Sequence, residues 1–170
     1  ARGRHRVTQP TPDRGEAERF LTLLDEEAEG FCFRCFDDNE DRKDPNLSAK
    51  LVGSLNECWP RLLDMQARGC GVYVVVNAGG HKAEAISRVR AVFADFDGAP
   101  LPERFDLEPH AIVQSSPGKW HAYWLVDGLP LGAFKDIQRN IAARYGSDPV
   151  INDLPRVMRL PGFLHQKHAP

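Results

Sequence analysis

Apolar residues recur with helical spacing at Ala17, Phe20, Leu21, Leu24 and Ala28, which predicts an amphipathic helix from Glu16 onward. "FCFRCF" (31–36) alternates like a strand, and the Asp- and Asn-rich stretch after it reads as a loop. Leu47, Leu51 and Leu55 are four apart and predict a second helix. Trp59-Pro60 interrupts it, and Pro60 can open a further short helix ending near Gly69. "GVYVVVN" (71–77) is almost continuously apolar, as a central strand would be. "AGGHKAEAISRV" (78–89) predicts a loop with one helical turn before the strand "RAVFADFDG" (90–98). "HAIVQSS" (110–116) and "KWHAYWLV" (119–126) are strands separated by Pro117-Gly118, a tight hairpin. Leu131, Phe134, Ile137, Ile141 and Tyr145 mark an amphipathic helix, and "RVMRLPG" (156–162) is a last short strand stopped by proline. Interleaved helices and strands with an antiparallel hairpin predict an α+β fold with a mixed sheet.

Composition narrows this to one soluble domain. The 170 residues are 42% hydrophobic and 27% charged, ordinary globular values. No run approaches the roughly 18 apolar residues of a membrane span, so no membrane partner is expected. "ARGRHRVTQP" is basic without a following apolar region, so it is not a secretory signal. Residues 1–15 are expected to form a flexible basic arm, and 16–170 a single catalytic domain. The missing initiator methionine and the abrupt end at "HQKHAP" predict a fragment of a longer cytoplasmic protein. A net charge of −2 argues against a dense nucleic-acid coat but leaves room for a local basic groove. Cationic residues Arg139, Arg144, Arg156, Arg159 and Lys167 gather in the second half, while "DDNEDRKD" (37–44) is acidic. Cys32 and Cys35 have C-x-x-C spacing, but i and i+3 of a strand face opposite ways, so reduced buried thiols are expected in place of zinc.

Three clusters carry candidate chemistry. Asp95 and Asp97 point to the same side of their strand, and like charges held so close need a cation or a proton between them. Alone, D-x-D-G is equally a strand ending in a polar turn. On the hairpin, Lys119, His121 and Tyr123 share one face, away from Trp120 and Trp124. If Ser116 and Lys119 flank a two-residue turn, Gln114 lies opposite His121, giving a polar, cationic cluster suited to phosphate oxygens. An incidental histidine on a solvated hairpin is the plainer reading. Tyr123 is the expected contact to a nucleotide sugar. Asp153 precedes the strand bearing Arg156 and Arg159, with His165 and Lys167 beyond; in isolation this reads as a salt bridge. Together, three carboxylates are hard oxygen ligands suited to Mg²⁺ or Mn²⁺, and the cations could hold a triphosphate. That is the equipment of two-metal nucleotidyl transfer.

"SRVRAVFADFDG", "SSPGKWHAYWLV" and "DLPRVMRLPGF" resemble hallmarks of the archaeo-eukaryotic primase superfamily, in particular its plasmid and phage RepB-like branch. The likeness runs from about residue 20 to the end. Two departures stand out: Lys119 occupies a small-residue position, and Asn152 an apolar one. The resemblance implies an N-terminal α/β unit packed on an RRM-like sheet, with the active site in the cleft between them. It implies Asp95, Asp97 and Asp153 as catalytic ligands of two metal ions, Mg²⁺ or Mn²⁺. Ser116, Lys119, His121, Arg156 and Arg159 would bind the nucleotide, and Asp148 is the rival third acid. The implied activity is a DNA primase or primase-polymerase joining nucleoside triphosphates on a single-stranded DNA template, in replication of a plasmid, phage or integrated element. A replicative helicase, or a further domain beyond Pro170, would be an additional partner. Two alternatives compete. "FADFDG" also resembles haloacid-dehalogenase phosphatases, with Asp95 as nucleophile, although Ser115-Ser116 leads directly into another strand. A non-catalytic single-strand-binding module would use its tryptophans and arginines to stack bases.

Overall fold

The structure, a computed structural model, describes residues 10–166. The basic segment before residue 10 and Lys167 lie outside the described residues. Helix α1 spans Arg14–Leu24, capped by the Asp13 carboxylate, which accepts from the Glu16 N–H. The expected arm therefore ends earlier, since Arg14 and Gly15 are helical. α1 buries Ala17, Phe20, Leu21 and Leu24, the stripe its sequence predicts.

Strands β1 (Phe31–Asp37), β2 (Ser48–Gly53), β3 (Cys70–Val75) and β7 (Val157–Arg159) form a four-stranded sheet in the order β2-β1-β3-β7. Helix α2 (Leu55–Ala67) packs on one of its faces. Strands β4 (Ala91–Phe96), β5 (Ala111–Ser116) and β6 (Lys119–Leu125) form a second sheet, ordered β4-β6-β5, against which α3 (Phe134–Tyr145) packs. All pairings between these strands are antiparallel, so the expected mixed sheet is two antiparallel ones. Short returns such as Pro117-Gly118 reverse the chain without the long crossover that parallel strands need. One hydrophobic core joins the two units. Phe20 of α1 meets Tyr123 of β6 with ring centroids 5.1 Å apart, and Phe31, Phe33 and Val74 belong to the same cluster.

Residues 48–53 are a strand, not the expected helix. A four-residue leucine spacing places Leu47 and Leu51 on one face of a strand as readily as of a helix. Pairing with β1 and the capping box of Ser54 with Glu57, which starts α2 at Leu55, decide the matter. Pro60 lies inside α2 without ending it. It withholds one N–H from the helix near its exposed N-terminal turns, where water reaches the freed carbonyl. Cys32 and Cys35 face opposite sides of β1: Cys35 belongs to the main core and Cys32 to a small cluster with Val75 and Ile86. Among the described residues, no helix is long and apolar enough to cross a membrane.

Candidate active site

The paired acids stand at the end of β4. Asp95 is opposite His121 on β6, with its Oδ1 3.5 Å from His121 Nε2. Asp97 follows the strand and its Oδ1 lies 2.8 Å from Lys119 Nζ. Gly98 then takes φ +82°, a left-handed turn that turns the chain away after the second acid. Each carboxylate thus sits beside a cationic or protonatable group. β4 is an edge strand, and its outward backbone groups are satisfied from outside the sheet. The Gln138 side chain of α3 accepts from the Phe93 N–H (2.9 Å) and donates to the Phe93 and Ile151 carbonyls (both 3.0 Å). The Asp148 N–H donates to the Asp95 carbonyl at 2.9 Å. These bonds hold the acid-bearing strand against α3 and the 147–151 loop.

A cleft of about 590 Å³ opens above this point and is walled by both sheets. From the second sheet come Asp95, Asp97, Ser116, Lys119 and His121; from β7 and its approach come Arg156 and Arg159. Seven of the eight residues expected in the site therefore line one cleft: Asp95, Asp97, Ser116, Lys119, His121, Arg156 and Arg159. Asp153 does not. Arg156 Nε donates to its carboxylate at 2.6 Å, and Arg156 Nη2 to the Val150 carbonyl at 3.0 Å. Asp148 is no substitute, because its side chain accepts from the Val150 N–H and does not reach the cleft. Among the described residues, no three His, Cys, Asp or Glu side chains converge closely enough to hold a metal ion. The expected three-acid set is therefore not assembled: the local i,i+3 ion pair with Arg156 takes the third acid.

Two hairpin expectations also change. A β-bulge between Gln114 and Ser116 shifts the register, so Val113 opposes His121 and Gln114 opposes Trp120. Ser116 still opposes Lys119. Tyr123 is only 1% exposed, packed between Phe20 and Phe93, and cannot touch a sugar. Burial first, then the nearby Asp95 charge, pushes its phenol well above the usual range.

Several functional-looking residues escaped the sequence reading. The buried Asp38 accepts two bonds from the Arg159 guanidinium, at 2.6 and 3.1 Å, and one from the Gln166 N–H at 2.7 Å. Burial would raise the Asp38 carboxyl, but Arg159 and the Gln166 N–H outweigh it and hold it below the usual range. Arg159 also lies over the Tyr73 ring, 4.9 Å from its centroid. Beside it, the Arg42 guanidinium holds Asp37 well below the ordinary carboxylate range. The available signal was "FCFRCFDD", an apolar strand ending in paired acids like "AVFADFD". Gln138 was signalled too, as a polar residue four positions after Phe134 on the buried helix face.

The site has one feature that fits a divalent cation. Asp95 Oδ1 is buried with no hydrogen-bond donor, and a carboxylate oxygen held that way suits a hard metal ion. Asp97, half exposed beside it, offers a second carboxylate.

Two antiparallel sheets with a cleft of mixed charge between them give the fold of solved primase AEP domains. Residues 95–169, somewhat less than half of the chain, match the family described as the RepB DNA-primase N-terminal domain. The solved AEP domain of the cyanophage S-2L primase-polymerase superposes with a TM-score of 0.76 at 24% identity, covering 92% of this chain and 86% of that one. The primase RepB′ superposes with a TM-score of 0.64 at 24% identity, over 91% of this chain and 52% of that one. The RepB′ catalytic domain in complex with initiator DNA gives 0.58 at 23% identity, over 91% and 79%. No curated protein matches the chain significantly. The phosphatase alternative fails on the fold, because Ser115-Ser116 runs directly into β6 within an antiparallel sheet.

Proposed function

We propose that this domain is a primase or primase-polymerase, joining nucleoside triphosphates on a single-stranded DNA template with release of pyrophosphate. The observation that carries the reading is one cleft in which Asp95 and Asp97 stand beside Lys119 and His121 and face Arg156 and Arg159. Lys119, Arg156 and Arg159 bring positive charge for a triphosphate, and the Ser116 hydroxyl can donate to a phosphate oxygen. His121 keeps its Nε2 3.5 Å from Asp95 Oδ1, while its Nδ1 is buried without a partner. Asp95 and Asp97 would hold Mg²⁺ or Mn²⁺. A bound ion there supplies charge neutralisation at the phosphates and a lowered pKa for an attacking hydroxyl. Asp153 acts through Arg156, keeping that guanidinium at the cleft, and is a positioning residue in this reading. The setting is replication of a plasmid, phage or integrated element, with a replicative helicase or further domain as an additional partner.

The test is a gel assay with labelled nucleotides on a single-stranded template, with Mn²⁺ or Mg²⁺ and with chelator. Template-dependent products that vanish with chelator and in Asp97→Asn are expected. Strand binding without products in any metal would instead favour the non-catalytic module.

A further inference from the structure

The four-stranded sheet has a second face, opposite α2. Side chains on it align across all four strands. Lys50 on β2 opposes Arg34 on β1, Arg34 opposes Tyr73 on β3, and Tyr73 opposes Arg159 on β7. Phe36 lies two residues from Arg34 on the same face; the Arg34 guanidinium covers its ring at 4.6 Å, and its ring meets Tyr73 at 5.5 Å. Among the described residues, neither Arg34 nor Lys50 forms an ion pair, and Arg34 Nε is buried with no acceptor. His81 joins them from the 78–88 loop. Its Nε2 is 3.2 Å from the Leu51 carbonyl, and its Nδ1 is buried without a partner. Burial lowers its pKa against the bond to the Leu51 carbonyl, and the Arg34 and Lys50 charges push the same way as burial. At the β7 end of the row Arg159 has its carboxylate in Asp38, whereas among the described residues Arg34 and Lys50 have none.

The row is not isolated from the site. Phe36, Ser48, Tyr73 and Arg159 also line the cleft, so the face runs into it. Cations without counter-ions beside two aromatic rings match the chemistry of a phosphodiester chain with unpaired bases. The cations take phosphates, and the half-buried Phe36 and Tyr73 rings, each covered on one side by an arginine, are the aromatic groups beside them. We propose that this sheet face is a track for a single nucleic-acid strand, with Lys50 and Arg34 gripping the backbone outside the cleft. That the strand is a template entering the cleft rests on the function proposed above; the binding track does not.

The experiment is fluorescence anisotropy of a labelled oligothymidylate across a salt series, with wild type, Lys50→Glu and Arg34→Gln. Lys50 is exposed at an edge, so Lys50→Glu folds whatever Arg34→Gln does. Each variant should bind about tenfold more weakly at moderate salt, with the log–log salt slope shallower by about 0.7 per lost phosphate contact. Binding of a nucleoside triphosphate without template should stay unchanged in Lys50→Glu. Unchanged affinity and slope in Lys50→Glu would overturn the track, as would an equal loss on a blunt duplex of the same charge. If wild type makes products while Lys50→Glu binds the strand normally, the track is wrong and the cleft reading stands. If wild type binds the strand in a Lys50-dependent way but makes no product in any metal, the track stands and the cleft reading falls.

Discussion

Asp38→Ala should unfold this domain more readily than any change to the paired acids of the cleft. The Asp38 and Arg159 side chains are 4% and 14% exposed and are joined by two hydrogen bonds. Removing one member of a buried pair leaves the other charge uncompensated, at about 3–5 kcal/mol. Arg159 borders the cleft and can turn partly toward water, so the lower end applies, about 3 kcal/mol. For a domain of this size that is roughly 6–12 °C in Tm. Asp38→Asn keeps an acceptor for the Gln166 N–H and should lose about half as much. The Asp38→Ala/Arg159→Ala double variant holds no stranded charge and should lose less than the two single losses added, a coupling of about 1.5–3 kcal/mol. Urea unfolding of all four proteins provides the cycle. Additive losses, or a loss below about 1 kcal/mol for Asp38→Ala, would show that the pair does not act as a buried unit.

The same pair has a pH signature. Its carboxyl titrates below the ordinary 3.8, because Arg159 and the Gln166 N–H favour the charged form over the opposing effect of burial. Its contribution is complete above the unfolded value of about 4 and fades as pH falls through the depressed folded value. Wild type and Asp38→Ala should therefore differ fully at neutral pH and converge only in stronger acid. A stability gap that closes instead between pH 6 and 8, by the same unfolding assay, would assign the effect to a different group.

Asp95→Asn and Asp97→Asn should each abolish nucleotide incorporation while leaving Tm within a few degrees, since each removes one of two neighbouring negative charges; near-normal incorporation by either would dismiss it as a metal ligand. His121→Ala should lower catalytic efficiency by roughly ten- to hundred-fold, the worth of one charge-assisted hydrogen bond. Template affinity should hold, and an unchanged rate of primer synthesis would disconnect the hairpin from the acids. Gln138→Leu leaves the Phe93 N–H and the Phe93 and Ile151 carbonyls without their partner at a site 1% exposed, for a loss of about 3–5 kcal/mol. Amide exchange at Phe93 should accelerate most, and a Tm shift without that local change would put the damage elsewhere.

Face assignments were legible wherever a residue's neighbours fix them. Asp95 and Asp97 share a side because a strand alternates, and no partner is needed to know it. Lys119 and His121 share a side for the same reason, and the β4–β6 register then sets Asp95 opposite His121. A single bulge at Ser115 was enough to move Gln114 to the other face, because in a strand one inserted residue inverts everything beyond it. The leucines at 47 and 51 failed for a related reason: a spacing of four satisfies both periods, and only pairing with β1 decides between them.

What no local pattern carries is which sheet a strand joins. The sequence alone places Arg156 and Arg159 on the strand that follows Asp153. Because β7 pairs with β3, the arginines enter the cleft from the opposite wall. Arg159 meets Asp38, which lies 121 residues earlier in the chain, and Asp153 is left to the guanidinium three residues away. This gives the cleft two charged walls: Asp95 and Asp97 with Lys119 and His121 on the second sheet, Arg156 and Arg159 with Asp38 on the first. A triphosphate between them would be held by two walls joined through one core, so strain in either sheet would reach both the acids and the arginines. That is why the buried Asp38, which anchors Arg159 at the cleft wall, is expected to matter to the chemistry.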